Sequence, residues 1–354
     1  MGLSYYTWDD IALWSVRGYG IALDGTVASA ERWGNSGLRY PLNMPLLIGL
    51  FRLIDGDVLP GSKLLFPAFY GSILLAVLAF WRRRMVPSTV RVVGILALGT
   101  TPLLFTHATT GYANLPFTFY LVTGNLVLGE GVEDKSARHL LLGGILLGLA
   151  SWTRPEGLLL GVACAAIHSL ALLRGPHRWS GVLAMILPML LLAAPWIIFE
   201  GSLAPRGVVG EVGAVGLGRL LRSDVQWDAF YVIGKYFAGQ VIRFRVWGAF
   251  VPLAVLLGFI SIASRRARVN GVGVVLALVS SVTLGALVFG MYYLTSYSGE
   301  LVNWLSSGFN RMMMPAAVLA TTASVPVIVA HLRDREAETT ASDSPVYGQD
   351  SEAL

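Results

Sequence analysis

The sequence predicts an all-α, polytopic membrane protein, and its composition and its apolar runs carry that prediction. Of the 354 residues, 55% are hydrophobic and 13% are charged, and the mean hydropathy is +0.65. A soluble domain carries about 25% charged residues. The hydrophobic residues form long runs, and about 17–25 apolar residues can cross the hydrocarbon core as a helix. Lipid cannot hydrogen-bond free backbone groups, so these runs are expected to be helical.

We expect about nine spans of this kind. In chain order they are 63–81, 90–107, 114–129, 139–152, 158–173, 181–199, 247–264, 271–294 and 312–331. The stretch 40–54 is also apolar, but it is short and contains Pro41, Pro45 and Arg52. We expect it to form a helix that lies along the membrane interface. The predicted organisation is therefore an external segment, 1–62, with juxtamembrane helices, followed by a transmembrane bundle, 63–331.

Lysine and arginine residues predict which ends of the spans face the cytoplasm, because short cytoplasmic loops are enriched in them. They recur on alternate turns of the chain, at Arg82–Arg84, Lys135 and Arg138, Arg174 and Arg178, Arg265–Arg268, and Arg333 and Arg335. The opposite short turns, 109–113 and 153–157, carry only Arg154. We therefore expect the N-terminal segment and the loops 201–246 and 295–311 outside the plasma membrane. The polar tail, 332–354, is expected to be cytoplasmic and disordered.

Composition also excludes several classes of protein. The net charge of +5 does not indicate nucleic-acid binding, because the arginines are scattered at the ends of apolar spans. Cys164 is the only cysteine, so no disulfide framework can form within the chain. The N-terminus lacks the basic and apolar regions of a signal peptide. No convincing internal repeat favours an inverted-repeat transporter. The basic residues of loop 201–246 suit either an anionic ligand or lipid head groups.

Asp9 and Asp10 are the first candidates for chemistry, because they form an acidic pair ahead of the bundle. Neighbouring carboxylates can bind a divalent cation, or one can act as a general base whose pKa the other adjusts. The alternative is a structural role, since Thr7 and Asp10 have the spacing of a capping box at a helix start. On that helix Asp10, Arg17 and Asp24 would share a stripe, and Asp9 would face about 100° away.

The turn 106–116 is the second candidate, because it groups several hydrogen-bonding side chains between two spans. His107, Tyr112 and Asn114 could line a substrate pocket there. A single histidine at a membrane boundary also serves as an interfacial anchor, and an asparagine before a proline-containing helix start also serves as a cap. Both alternatives remain open from the sequence.

Arg154 and Glu156 are the third candidate, on a tight turn between two spans. Arg154 could hold a phosphate, with Glu156 orienting it, or both could simply mark the membrane boundary. Lys63 and Arg311 begin the first and last spans on the same predicted side, where each could instead snorkel to head groups. Together with Arg154 they would surround one external cavity and neutralise a phosphate leaving group. Gly144 and Gly148 have the spacing that allows close helix packing.

Sequence fragments in a fixed order resemble a known family. They are WDDIALW at 8–14, RYPLNMPLL at 39–47, HATTGYANLP at 107–116 and GLASWTRPEG at 148–157. With the predicted topology they resemble the membrane glycosyltransferases of the GT-C superfamily. The branch in question is that of lipopolysaccharide-core-type and protein-mannosyltransferase-like enzymes, and the resemblance covers roughly residues 5–320.

The resemblance implies an inverting hexosyl- or pentosyltransferase that uses a polyprenyl-phosphate sugar as donor. The acceptor would be a glycan, lipid or protein of the cell envelope, on the outer face of the membrane. An aspartate of the first external loop would act on the acceptor hydroxyl, which assigns that role to Asp9 with Asp10 as its partner. A basic residue at the outer start of the next span would contact the donor phosphate, and Lys63 matches that position.

The chain departs from the family pattern at two places. The turn before the third span ends in Asn114, where the family has an aspartate, and an amide binds cations less well than a carboxylate. The family also has a transmembrane helix ahead of the acidic loop, whereas only a few residues precede Asp9. We expect the first helix to be missing from this chain.

Two further functions remain as alternatives to the enzyme. A transporter or flippase of a lipid-linked or anionic solute would place ionisable residues in the middle of spans, where they are costly. His168 is the nearest case in this sequence. A non-catalytic, degenerate relative of the enzymes would retain the fold without binding a polyprenyl-phosphate sugar.

Overall fold

The structure is a computed structural model, and it describes residues 10–27, 40–55, 60–174, 178–203, 227–263, 271–295 and 301–342. Every regular element within these ranges is a helix, and none is a strand. The all-α prediction is therefore confirmed for the described residues. The side chain of Asp10 and all of Asp9 lie outside the description.

The described chain begins with a π-helical turn, Asp10–Ser15, which continues into α1, Val16–Asp24. The next helices are α2, Asn43–Asp55, and the short α3, Pro60–Lys63. Helices α1 and α2 cross closely at glycines. A Cβ atom added to Gly18 would lie 2.8 Å from the carbonyl oxygen of Pro45, and one added to Gly49 would lie 2.9 Å from that of Gly18. The predicted helix over 40–54 is thus present as α2.

The first two predicted spans differ in shape. Helix α4, Leu65–Arg83, is continuous, but the predicted span 90–107 is broken into α5, Ser88–Gly99, and α6, Pro102–Thr109. The two halves meet at an angle of 61°. The break has a local cause, because Thr101 precedes a proline and takes an extended ψ of 119° that a helix cannot accommodate. The prediction of one straight helix is wrong here.

The centre of the bundle consists of α7, Asn114–Asp134; α8, Ala137–Thr153; α9, Gly157–Leu172; and α10, Arg178–Leu203. Helices α8 and α10 approach closely at the predicted glycines. A Cβ atom on Gly144 would overlap the carbonyl oxygen of Met185, and one on Gly148 would lie 2.8 Å from the Cβ of Leu192. The predicted packing role of these glycines is confirmed.

The last helices are α11, Trp227–Val241; α12, Phe244–Trp247; α13, Phe250–Ala263; α14, Val272–Thr295; and α15, Leu301–Ser342. Helix α15 differs from the prediction at both ends. The expected loop 295–311 is helical from Leu301, and the expected disordered tail 332–354 is helical as far as Ser342. Within the predicted loop 201–246, residues 204–226 lie outside the description, and the rest is largely helical.

Apolar length indicates that several helices could cross a membrane. Four helices are long and apolar enough, at Gly61–Arg83, Trp179–Phe199, Val272–Leu294 and Leu301–Thr340, and the bent α5–α6 pair makes a fifth. The remaining predicted spans also form helices, but these are shorter or less apolar among the described residues. The structure therefore supports fewer membrane-crossing helices than the sequence predicts.

The core lies between α4, α7, α8, α14 and α15, and it is largely aliphatic and aromatic. Trp81 is fully buried within it, and its indole N–H donates to the carbonyl oxygen of Thr322 at 2.8 Å. This bond links the first long helix to the last one, which are 241 residues apart along the chain.

One end of the bundle, here called the ion-paired end, gathers the basic turns at the ends of α4, α7 and α15. The Arg84 guanidinium donates to Glu133 with one N–O distance of 2.7 Å, and Arg83 pairs with Asp134. Arg333 donates to the carbonyl oxygen of Met85 at 3.0 Å. The hydrogen bond to Arg84 is the main cause that lowers the pKa of Glu133. These basic turns share one end, as the alternation of charge predicts.

Candidate functional site

A cavity of about 550 Å³, counted to its open mouth, lies at the opposite end of the bundle. Its walls come from the π-helical turn, the segment leading into α2, the start of α7, the α8–α9 turn, the end of α14 and the first turns of α15. The lining residues are Leu13, Trp14, Tyr40, Tyr112, Asn114, Arg154, Glu156, Tyr292, Trp304, Ser307, Gly308, Arg311 and Met312. Five of the residues singled out from the sequence, Tyr112, Asn114, Arg154, Glu156 and Arg311, thus share one cavity.

Arg154 is the best-fixed side chain of this cavity. It follows the last residue of α8 in an extended conformation, and Glu156 directly precedes α9. The guanidinium forms a two-pronged pair with Glu156, with N–O distances of 3.1 and 3.0 Å. Its third nitrogen donates to the side-chain oxygen of Asn114 at 2.9 Å. The turn between α8 and α9 is therefore tied to the start of α7.

Helix α2 also holds this turn in place. The side-chain amide of Asn43, at the start of α2, donates to the hydroxyl of Thr153 at 2.8 Å. Both side chains are buried, so the bond is shielded from water. Asn43 and Thr153 each belong to a sequence fragment that carries the resemblance, and the fold brings the two fragments into direct contact.

The charge of Arg154 is maintained although the side chain is only 13% exposed. Burial disfavours the charged form, but the adjacent Glu156 carboxylate outweighs burial and raises the pKa of Arg154 above its ordinary value. The guanidinium is therefore a permanent cation at a fixed place in the cavity wall.

Arg311 supplies the second cation of the cavity, from the third turn of α15. Its guanidinium carbon lies 4.9 Å from the centre of the Tyr112 ring, within range of a cation–π interaction. His107 contacts the same ring, with 5.4 Å between ring centres. His107 is buried and its Nδ1 lies 2.9 Å from the carbonyl oxygen of Leu103. It supports Tyr112 and is not among the residues lining the cavity.

Among the described ionisable residues, the cavity wall holds the guanidinium groups of Arg154 and Arg311 and the carboxylate of Glu156. Lys63, the third predicted cation, ends α3 near the same end of the bundle but is not among the lining residues. The structure thus brings two of the three predicted cations into one cavity wall.

The acidic pair is only partly described. Asp9 lies outside the described residues, and Asp10 is described by its backbone alone. Asp10 begins the π-helical turn and precedes Trp14, a lining residue, by about one helical turn. The backbone therefore brings Asp10 to the α1 side of the cavity.

Several lining residues were not singled out from the sequence. Trp304, Ser307 and Gly308 lie on one face of α15 with the predicted Arg311, at helical spacing, but that face could not be recognised while 295–311 was predicted to be a loop. Tyr292 ends a predicted span and packs against Gly308, where an added Cβ would lie 2.7 Å from the tyrosine hydroxyl. In the sequence, Gly308 was the one signal that another side chain could approach α15 closely at this point.

The residues around Asn114 do not fit a bound metal ion. The side-chain oxygen of Asn114 accepts a hydrogen bond from Arg154, a cation. Within the described ranges, no group of three or more histidine, cysteine, aspartate or glutamate side chains could hold a metal. The predicted divalent-cation site at Asp9 and Asp10 lies outside these ranges.

Comparison with models of protein families, with curated proteins and with solved structures gives no match. The resemblance carried by the sequence fragments stays a prediction.

Proposed function

We propose that the chain is a multi-pass membrane glycosyltransferase that moves a sugar from a polyprenyl-phosphate donor to an acceptor of the cell envelope. The observation that carries this proposal is the presence of two guanidinium groups, those of Arg154 and Arg311, in the wall of one cavity. A polyprenyl-phosphate sugar is a phosphodiester and bears one negative charge at neutral pH. The cavity lies at the end of a bundle whose apolar helices suit a lipid chain.

The fixed position of Arg154 supports a role at the leaving group. Glu156 and Asn114 hold the guanidinium before any ligand arrives, so no reorganisation is needed as charge develops. Arg311, stacked on Tyr112, supplies the second positive charge. In the proposed site the phosphate oxygens lie between these guanidinium groups, which bind such oxygens through paired N–H donors.

The proposed reaction is an inverting displacement at the anomeric carbon. The acceptor hydroxyl oxygen forms a bond to that carbon while the bond from the carbon to the phosphate oxygen breaks. The electron pair of that bond stays on the phosphate, where Arg154 and Arg311 stabilise it. The acceptor proton passes to Asp9, the general base, and Asp10 adjusts the basicity of its neighbour.

The proposed placement puts the cavity on the outer face of the plasma membrane and the ion-paired end in the cytoplasm. Two features support it. The basic turns lie together at the ion-paired end, and the cavity end has the short turns that are poor in lysine and arginine. The donor sugar would then meet a periplasmic or extracellular acceptor.

The test is mass spectrometry of lipids that co-purify with the protein, followed by titration with undecaprenyl phosphate. We expect a bound polyprenyl-phosphate sugar, and Arg311→Gln should weaken binding of the probe about tenfold or more, because a charge-assisted contact contributes about 1.5–3 kcal/mol. Arg333→Gln, at the ion-paired end, is the matched control and should leave the affinity unchanged. Equal affinity of wild type and Arg311→Gln would contradict the proposed phosphate site.

A further inference from the structure

Arg17, in the first turn of α1, is a buried cation to which the described residues give one hydrogen bond and no counter-ion. It is 0% exposed, and one of its terminal nitrogens donates to the carbonyl oxygen of Tyr40 at 2.9 Å. Its Nε and its other terminal nitrogen have no hydrogen-bond partner. No carboxylate of the described residues forms an ion pair with it. A buried guanidinium in this state is costly unless an anion compensates it.

Trp14 adds a further unpaired donor directly beside Arg17. It precedes Arg17 by three residues, so the two lie on neighbouring positions of one helical face. Trp14 is 2% exposed, and its indole nitrogen has no hydrogen-bond partner although the side chain lines the cavity. Unpaired donors of two buried side chains therefore lie together at the cavity wall.

Tyr40 connects this pair of residues to the cavity. Its ring packs edge-on against Trp14, with 5.4 Å between ring centres, and it also lines the cavity. Because Arg17 binds the backbone oxygen of the same residue, the guanidinium lies immediately behind the cavity wall.

The close crossing of α1 and α2 fixes Arg17 in this position. Gly18, the next residue, packs against Pro45 and Ile48, and Gly49 packs against the backbone of Gly18. The backbone cannot withdraw to carry the guanidinium into water without separating the two helices. Burial lowers the pKa of Arg17 to about 10, which still leaves the side chain charged at neutral pH.

We propose that Arg17 and Trp14 form a subsite for an oxyanion, a phosphate or carboxylate group, on the α1 side of the cavity. The planar guanidinium presents parallel N–H donors that match two oxygens of such a group, and the indole N–H can donate a further hydrogen bond to it. This subsite is separate from the donor phosphate site at Arg154 and Arg311. The oxyanion belongs either to a soluble acidic molecule or to a lipid head group.

The experiment measures the rise in Tm of the detergent-purified protein as sodium phosphate replaces sodium chloride at constant ionic strength. Arg17→Met keeps the length of the side chain and removes its charge. Arg52→Gln is the matched control, since Arg52 belongs to the same helix pair but lies over the Tyr19 ring, at 4.7 Å. Each variant is also made together with Arg311→Gln, so that phosphate binding at the proposed donor site is weakened equally in all members of the comparison.

We expect phosphate to stabilise the wild type, and Arg17→Met to raise the phosphate concentration needed by about tenfold or more. The same difference should persist in the Arg311→Gln background, whatever the outcome for the proposed donor site. Arg52→Gln should respond as the wild type does. Without phosphate, Arg17→Met should be at least as stable as the wild type, because an uncompensated buried charge has been removed.

A second arm separates the two sources of the oxyanion. The same variants are melted in phosphatidylcholine nanodiscs with and without phosphatidic acid. An Arg17-dependent shift with phosphatidic acid alone supports a lipid head group, and one with inorganic phosphate supports a soluble molecule. If neither probe gives a shift that depends on Arg17, the proposal is overturned. Should Arg17→Met fail to fold, Trp14→Phe is the deciding variant, because it removes the indole N–H donor and keeps an aromatic ring. A response to both probes that is unchanged in Trp14→Phe would equally overturn the subsite.

Discussion

The arginines at the two ends of the bundle have different kinds of partner. At the ion-paired end, Arg83 and Arg84 are matched by Asp134 and Glu133, so the charges cancel across neighbouring helices. At the cavity end, Arg154 is paired with Glu156, and Arg311 lies over the ring of Tyr112. Ion pairs between helices connect those helices, whereas cations in a concave wall are suited to a ligand of the opposite sign. The difference separates residues that stabilise the bundle from residues that we propose bind the donor.

The largest expected effect tests the cavity end as a catalytic site. Asp9→Asn should reduce sugar transfer by about 10²–10⁴-fold, the usual contribution of a general base, because an amide cannot accept the acceptor proton. Donor binding should be largely unchanged, since the proposed phosphate contacts come from other residues. Transfer is measured in proteoliposomes and binding by titration with the donor lipid. Full activity of Asp9→Asn would remove that residue from the mechanism.

The next prediction compares one carboxylate from each end. Glu156→Gln should lower the free energy of unfolding by about 3–5 kcal/mol, because it leaves the largely buried Arg154 without its charged partner. Asp134→Asn breaks an exposed pair and should cost about 0–1 kcal/mol. Thermal unfolding in detergent, without added phosphate, measures both. Equal losses for the two variants would show that the ends do not differ as proposed.

A glycine at the ion-paired end gives an effect of intermediate size. Gly271 has φ of +101°, and an added Cβ would overlap Arg84 and lie 2.8 Å from a Glu133 oxygen. Gly271→Ala should therefore cost about 1–3 kcal/mol through backbone strain, and more if the ion pair separates. Gly290→Ala is the control in the same region of the chain, because its Cβ would meet nothing within 4 Å. The melting temperature should fall clearly more for Gly271→Ala than for Gly290→Ala.

The smallest expected effect is a pH dependence at the ion-paired end. The pKa of Glu133 is depressed in the folded state, chiefly by its hydrogen bond to Arg84. The stability that this carboxylate contributes is therefore present above its unfolded pKa and is lost as the pH falls through the folded pKa. The Tm of the wild type should fall more steeply than that of Glu133→Gln below the ordinary glutamate pKa of 4.5. Parallel curves would contradict the pairing.

The grouping of residues at each end could be predicted from the sequence because helices joined by short turns alternate in direction. The turns at 107–116 and 148–157 therefore lie at the same end, and the structure adds that Asn114 and Arg154 are in contact. The alternation of helix direction does not determine how far apart two residues lie across the bundle. Lys63 was placed at the correct end by the same reasoning, but it does not line the cavity.

The errors in the fold prediction have identifiable causes. Thr101 before Pro102 indicates the bend between α5 and α6, but the surrounding apolar run favours one span over 90–107. The first turns of α15 were predicted as a loop because they are polar. Polarity there reflects a cavity-lining face, which includes Ser307 and Arg311. The unpaired donors of Arg17 could not be foreseen, since burial without a partner is a property of packing.

The π-helical turn at the start of the described chain makes the acidic pair sensitive to length. A π turn accommodates one residue more than an α turn, so it is equivalent to a single-residue insertion. Deleting one residue between Asp10 and Ser15 would restore α-helical winding and rotate the preceding segment by about 100° about the axis, with a shift of about 1.5 Å along it. Trp14 would keep its place while the backbone at Asp10 rotated about the axis. Such a variant retains both aspartates in its sequence, and we expect it to fold normally and to lose the present placement of Asp10 relative to the cavity.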